Sequence, residues 1–148
     1  MSLVFRNLDV SVEDPVERWG VEGILTALER GNVEHWRKIA RAVSNDPRGK
    51  VAGELTQAVT LLEHVGMAVL FERILGQARE RQECHERRQV VQQLGEAVKT
   101  SGLTRAEFAA SLGTSTSRLS TYLTGKVVPS AVVMIRARAV AERFATKR

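Results

Sequence analysis

Cysteine is nearly missing from this chain: Cys84 stands alone among 148 residues, so no internal disulfide can form and a reducing compartment is the natural setting. Aromatic residues are also scarce, and Ala, Val, Leu, Glu and Arg dominate, which favours helix over sheet. No apolar run approaches the roughly 20 residues that span a bilayer, and no cleavable signal precedes the first acidic stretch. A cytoplasmic protein without a membrane span is therefore expected. Cys84-His85 is too small a cluster for a metal, and His35 and His64 have no partner at ligand spacing. Polar or half-buried helical positions suit all three histidines, and no metal or other cofactor is expected. Catalytic patterns are missing too. There is no Ser/His/Asp or paired-carboxylate constellation and no phosphate-cradling glycine loop, so the chain reads as a binding protein rather than an enzyme.

What is present is charge, unevenly placed. Residues 87–148 carry eleven Lys/Arg against Glu96, Glu107 and Glu142, a net of +8, whereas residues 1–86 hold eleven basic and fourteen acidic residues, a net of −3. A surface for a polyanion therefore belongs to the C-terminal part, where phosphate contacts would release counterions. The acidic N-terminal part is better suited to a protein contact.

Apolar periodicity predicts helices throughout. Val4, Phe5, Leu8, Val10 and Val12 lack a helical period and read as an extended arm over a core, or as a short strand. Asp14-Pro15 reads as a helix start, with Asp14 as cap, Pro15 in the first turn and Glu17 three residues after the cap. Trp19, Val21, Ile24, Leu25 and Leu28 form its apolar face, and Gly31 ends it. Asn32 caps the next helix, built on Val33, Trp36, Ile39, Ala40 and Val43, and Ser44-Asn45-Asp46-Pro47 stops it. Trp19 and Trp36 read as packing anchors rather than as a ligand pocket. A third helix over roughly 49–64 buries Val51, Leu55, Ala58, Val59 and Leu62. Gly66 is expected to break or kink the run before a fourth helix with Val69, Leu70, Ile74 and Leu75. The charged, proline-free stretch after Gly76 reads as a solvated helical connector, either extending the fourth helix or leading into a helix with Val90, Val91, Leu94, Ala97 and Val98 on one face. The chain thus divides into an acidic helical domain over residues 1–80, a connector over 81–89 and a basic domain over 90–148.

The most informative segment is 103–126, LTRAEFAASLGTSTSRLSTYLTGK. Ala109 supplies the small residue needed where two short helices cross, and Gly113, four residues on, suits the tight turn between them. Leu119 and Tyr122 share the buried face of the second helix. Thr116, Ser117, Ser120 and Thr121 are left pointing outward, short and polar, free to reach into a groove. The pattern reads as a helix-turn-helix, whose task would be to hold double-stranded DNA.

Leu103-Thr104, Glu107-Phe108-Ala109, Leu112-Gly113, the Ser115–Tyr122 helix, Gly125-Lys126 and Pro129-Ser130 come in an order and spacing that resemble the Cro/C1 (XRE-type) DNA-binding domain, over residues 88–145. The resemblance implies an all-α chain whose C-terminal part is a five-helix domain, with the second motif helix in the major groove. It implies base contacts from Thr116, Ser117 and Thr121, with Arg118 and Ser120 on the flanks. Family members often carry Gln or Arg at the first and last of these base-reading positions, for bidentate grip on adenine or guanine; here both are Thr. Direct discrimination is therefore expected to be modest unless Arg118 turns to a guanine, with more of it from DNA shape or bridging water. Thr104 and Arg105 on one side, Thr124 and Lys126 on the other, match phosphate-contacting positions, and the Ser115 hydroxyl is placed to meet a phosphate as well. Arg136 and Arg138 have no clear facing.

Val127, Val128, Val132 and Val133 depart from the family pattern, which has polar residues early in the helix opening at Ser130. They leave apolar surface beside Met134 and Ile135 and read as a dimer patch, since related repressors dimerise nearby and dimers read palindromes; packing against the N-terminal helices is the alternative. The leading expectation is a sequence-specific regulator, a repressor acting as a homodimer on a palindromic operator. An antitoxin, with an N-terminal domain that neutralises a toxin, and an architectural or plasmid-maintenance protein are the alternatives.

Overall fold

The structure, a computed structural model, describes residues 3–6 and 8–147, and among them every regular element is helical. A 3-10 turn, Val16–Arg18, precedes seven helices: α1 Gly20–Arg30, α2 Val33–Asn45, α3 Lys50–Leu61, α4 Val65–Ser101, α5 Arg105–Leu112, α6 Thr116–Leu123 and α7 Ala131–Ala145. The chain forms two compact units, one up to Gln82 and one from Glu83 onward. None of the helices among the described residues is long and apolar enough to cross a membrane.

The first unit closes on one core, in which Trp19, Ile24, Ile39, Val43, Leu55 and Phe71 are almost wholly out of solvent. Burying each such side chain stabilises the fold by about 1.5–3 kcal/mol. The arm lies over this core without forming a strand: Phe5 meets Trp19 edge-on with centroids 5.3 Å apart, and Leu3, Leu8, Val10 and Val12 are partly covered. Val4 points out instead. Both tryptophans are anchors, for each indole N–H is spent on a backbone carbonyl, Trp19 on Asp14 and Trp36 on Ala27, both at 2.9 Å.

Local chemistry shifts two expected boundaries. Asp14 does not cap a helix. Its carboxylate accepts the Ser11 N–H at 2.7 Å and pairs with Arg18 at 3.2 Å, while Gly20, at φ +70°, opens α1 after the 3-10 turn. Asn32 does cap α2, and His35 completes a reciprocal box by accepting the Asn32 N–H at 3.1 Å.

Neither Gly66 nor Gly76 interrupts the chain. Gly66 lies in the first turn of α4, Gly76 lies well inside it, and the fourth helix, the charged connector and the next helix are one 37-residue element. The free-energy cost of an interior glycine is only about 1 kcal/mol relative to alanine, less than the burial of Phe71, Leu75 and Ala78 in the first unit contributes.

The second unit contains the end of α4 with α5, α6 and α7, four helices rather than the expected five. After Ala145 the described chain turns and does not start another helix. Leu94, Phe108, Ala109, Leu112, Leu119, Tyr122, Ala137 and Val140 form its core.

Candidate nucleic-acid interface

Helices α5 and α6 are each eight residues long, too short to persist alone in water. Packing and caps hold them. Phe108, Ala109 and Leu112 from α5 meet Leu119 and Tyr122 from α6 in the core. Ala109 is buried, consistent with a small side chain where the two helices approach. Between them Gly113 adopts φ +75°, and the Thr114 N–H returns to the Ala109 carbonyl at 3.0 Å, closing α5. Nothing lies within 4 Å of the position a Cβ would take on Gly113, so glycine is required there by backbone conformation, not by space.

The caps orient the candidate phosphate contacts. Thr104 Oγ1 accepts the Glu107 N–H at 3.2 Å, and Glu107 returns a carboxylate oxygen to the Thr104 N–H at 2.8 Å. Ser115 Oγ accepts the Arg118 N–H at 3.1 Å. In both residues the oxygen is engaged as an acceptor, which leaves the hydroxyl hydrogen free to donate outward. Each hydroxyl sits at a helix N-terminus, where orphan N–H groups and the helix dipole favour an anion. Arg105 and Lys126 are exposed and form no ion pair among the described residues. Thr124 directs its hydroxyl back to the Thr121 carbonyl at 3.3 Å, a long bond that an outside acceptor can replace.

The five candidate base readers share α6 but differ in freedom. Thr116, Ser117 and Arg118 are exposed; Ser120 and Thr121 are half-buried. The hydroxyls of Thr116, Ser117 and Ser120 have no hydrogen-bond partner among the described residues. Thr121 donates to the Arg118 carbonyl at 2.6 Å, so toward a base it offers lone pairs and a methyl group. Such a surface suits an exocyclic amino group or the thymine methyl.

Arg118 is tethered. Its Nε donates to the Tyr122 hydroxyl at 2.9 Å, and that bond, followed by the attraction of the tyrosine oxygen, raises its pKa above the ordinary guanidinium value. The side chain therefore stays charged while one of its five donors is committed. Sequence reasoning missed this tether, although a one-turn spacing between Arg118 and Tyr122 could have signalled it.

The apolar patch beyond α6 is redrawn. Val127 (43 % exposed), Val128 (51 %) and Val132 (55 %) face solvent, but Val133 is partly buried against the core of the second unit. Ile135, 69 % exposed, takes its place on the open face. Ser130 caps α7 by accepting the Val133 N–H at 3.2 Å, and this sets the helical phase that turns Val133 inward. Arg138 is paired with Glu142 at 3.2 Å on the exposed side of α7.

Among the described residues no group of His, Cys, Asp and Glu is arranged to hold a metal ion. His35 and His64 instead accept backbone N–H bonds near helix starts, His64 from Met67 at 3.1 Å. Compared with protein-family models, with curated proteins and with solved structures, the chain matches none.

Proposed function

We propose that this protein is a sequence-specific DNA-binding regulator that uses α5 and α6 as a Cro/C1-like helix-turn-helix, most simply as a repressor occluding a promoter. The observation that carries the reading is the two-sided construction of α6. Leu119 and Tyr122 anchor one side in the core, while Thr116, Ser117 and Arg118 stand exposed on the other. The hydroxyl-bearing caps Thr104 and Ser115 open the two motif helices, and Arg105 and Lys126 add exposed positive charge beside them. The net charge of +8 over residues 87–148 supplies attraction to a polyanion. The open apolar face of Val127, Val128, Val132 and Ile135 is the surface through which two copies would pair on a palindrome.

Unbiased selection from random duplexes, followed by binding to the enriched and a scrambled duplex at two salt concentrations, tests this. A palindromic motif with a specific-over-scrambled ratio of order 10³ or more supports a dimeric regulator. Equal, steeply salt-dependent binding to every duplex would instead favour an architectural role, with α6 acting on phosphates alone.

A further inference from the structure

Beside the turn that follows α6 lies a groove of which the helix-turn-helix reading uses only Thr124. Cys84, Arg87, Arg88, Val91 and Gln92 recur at three- and four-residue spacing along one face of α4, and Thr124 and Gly125 form the opposite wall. The α4 face rises about 12 Å from Cys84 to Gln92 at 1.5 Å per residue. No carboxylate lines the groove. Arg87 and Arg88 are exposed and form no ion pair among the described residues. Gln92 donates its side-chain amide to Glu96 at a long 3.4 Å.

Gly125 is what brings the walls together. Its φ of +77° folds the turn back, with the Gly125 N–H on the Tyr122 carbonyl at 3.2 Å. A Cβ there would come within 3.3 Å of Val91 Cγ2, so the turn backbone lies close against α4. Two unpaired guanidiniums thus stand beside the turn that carries Thr124 and Lys126, at the C-terminal end of α6.

We infer that Arg87 and Arg88 form a second clamp on the DNA backbone, continuous with Thr124 and Lys126, whose ligand is the phosphodiester strand leaving the recognition helix. This rests on the proposed DNA-binding reading and adds to it a contact outside the motif. The chemistry favours a polyanion. Adjacent cations without a counterion gain most from a strand that places a charge every 3.4 Å of helix axis, and arginine forks match phosphate oxygens in pairs. Such a clamp adds affinity and fixes register without reading bases.

The test is the double substitution Arg87→Gln/Arg88→Gln in the full chain. Arg30→Gln/Arg73→Gln, an equal charge change at exposed sites of the first unit, serves as control. Loss of two phosphate contacts lowers the magnitude of the log-affinity against log-salt slope by about 2, on selected and scrambled duplexes alike, and leaves the selected motif unchanged. Cys84 gives a second reading, because the only thiol of the chain is exposed and lines the same groove. Saturating duplex should slow its alkylation by iodoacetamide in the unaltered protein. A slope unchanged by R87Q/R88Q, or shifted equally by the control pair, overturns the clamp while DNA binding stands. Absence of binding to any duplex by the unaltered protein overturns both.

Discussion

Individual residues of α6 divide between holding the helix and standing in solvent, and Tyr122 joins the two groups. Its ring is buried in the core while its hydroxyl accepts from Arg118. Replacing it with phenylalanine preserves the packing and releases the guanidinium. Y122F is therefore expected to retain the fold by circular dichroism yet sharpen preference for a guanine in selection, since a freed Arg can grip O6 and N7 together. An unchanged motif would mean that Arg118 never reaches a base. Two glycines offer a second contrast. Gly113→Ala incurs only the left-handed backbone penalty, about 1–2 kcal/mol, because the space around it is open. Gly125→Ala incurs the same penalty and also drives a methyl toward Val91. Urea unfolding followed by circular dichroism should rank Gly125→Ala as the more destabilising.

At the scale of elements, short helices depend on their ends. Thr104→Ala removes the hydroxyl from a reciprocal capping box and should cost about 1 kcal/mol of stability. Phe108→Ala, which empties a fully buried site shared by α5 and its neighbours, should cost about 3–5 kcal/mol. Both are checked by denaturant unfolding, and the ordering matters more than either value. The start of α2 was legible in the sequence because a cap is made within three residues: Asn32 accepts the expected backbone N–H, and Thr104, Ser115 and Ser130 cap their helices in the same way. The start of α1 was not. Asp14 could serve either a helix or the turn before it, and the Ser11 N–H and Arg18 drew its carboxylate to the turn.

For the molecule as a whole, the proposed self-association would depend on how α7 is phased. Val127, Val128, Val132 and Ile135 are each exposed in the single chain. A charge among them, Val132→Glu, should shift sedimentation from the proposed dimer to monomer and weaken DNA binding, with no change in helicity. A dimer that survives this substitution removes the face from consideration. Charge partition acts at the same scale: the segment up to residue 86 carries −3 and the rest +8, so added salt should weaken DNA binding without unfolding either unit.

Sequence by itself determined the helical class, the Asn32 cap, the left-handed turn at Gly113 and the concentration of positive charge toward the C-terminal end. Each of these depends on residue type, on neighbours a turn or less away, or on simple counting. Tertiary structure decided what depends on groups far apart in the chain. It joined three expected segments into α4, because packing along that helix outweighs the weak cost of its glycines. It turned Val133 inward and Ile135 outward, a choice set by the Ser130 cap together with the core that α7 meets. It also set Arg87 and Arg88 opposite Thr124 and Gly125. Some 36 residues of chain separate those two walls, and no local preference spans that distance; only the close approach of Gly125 to Val91 brings them together.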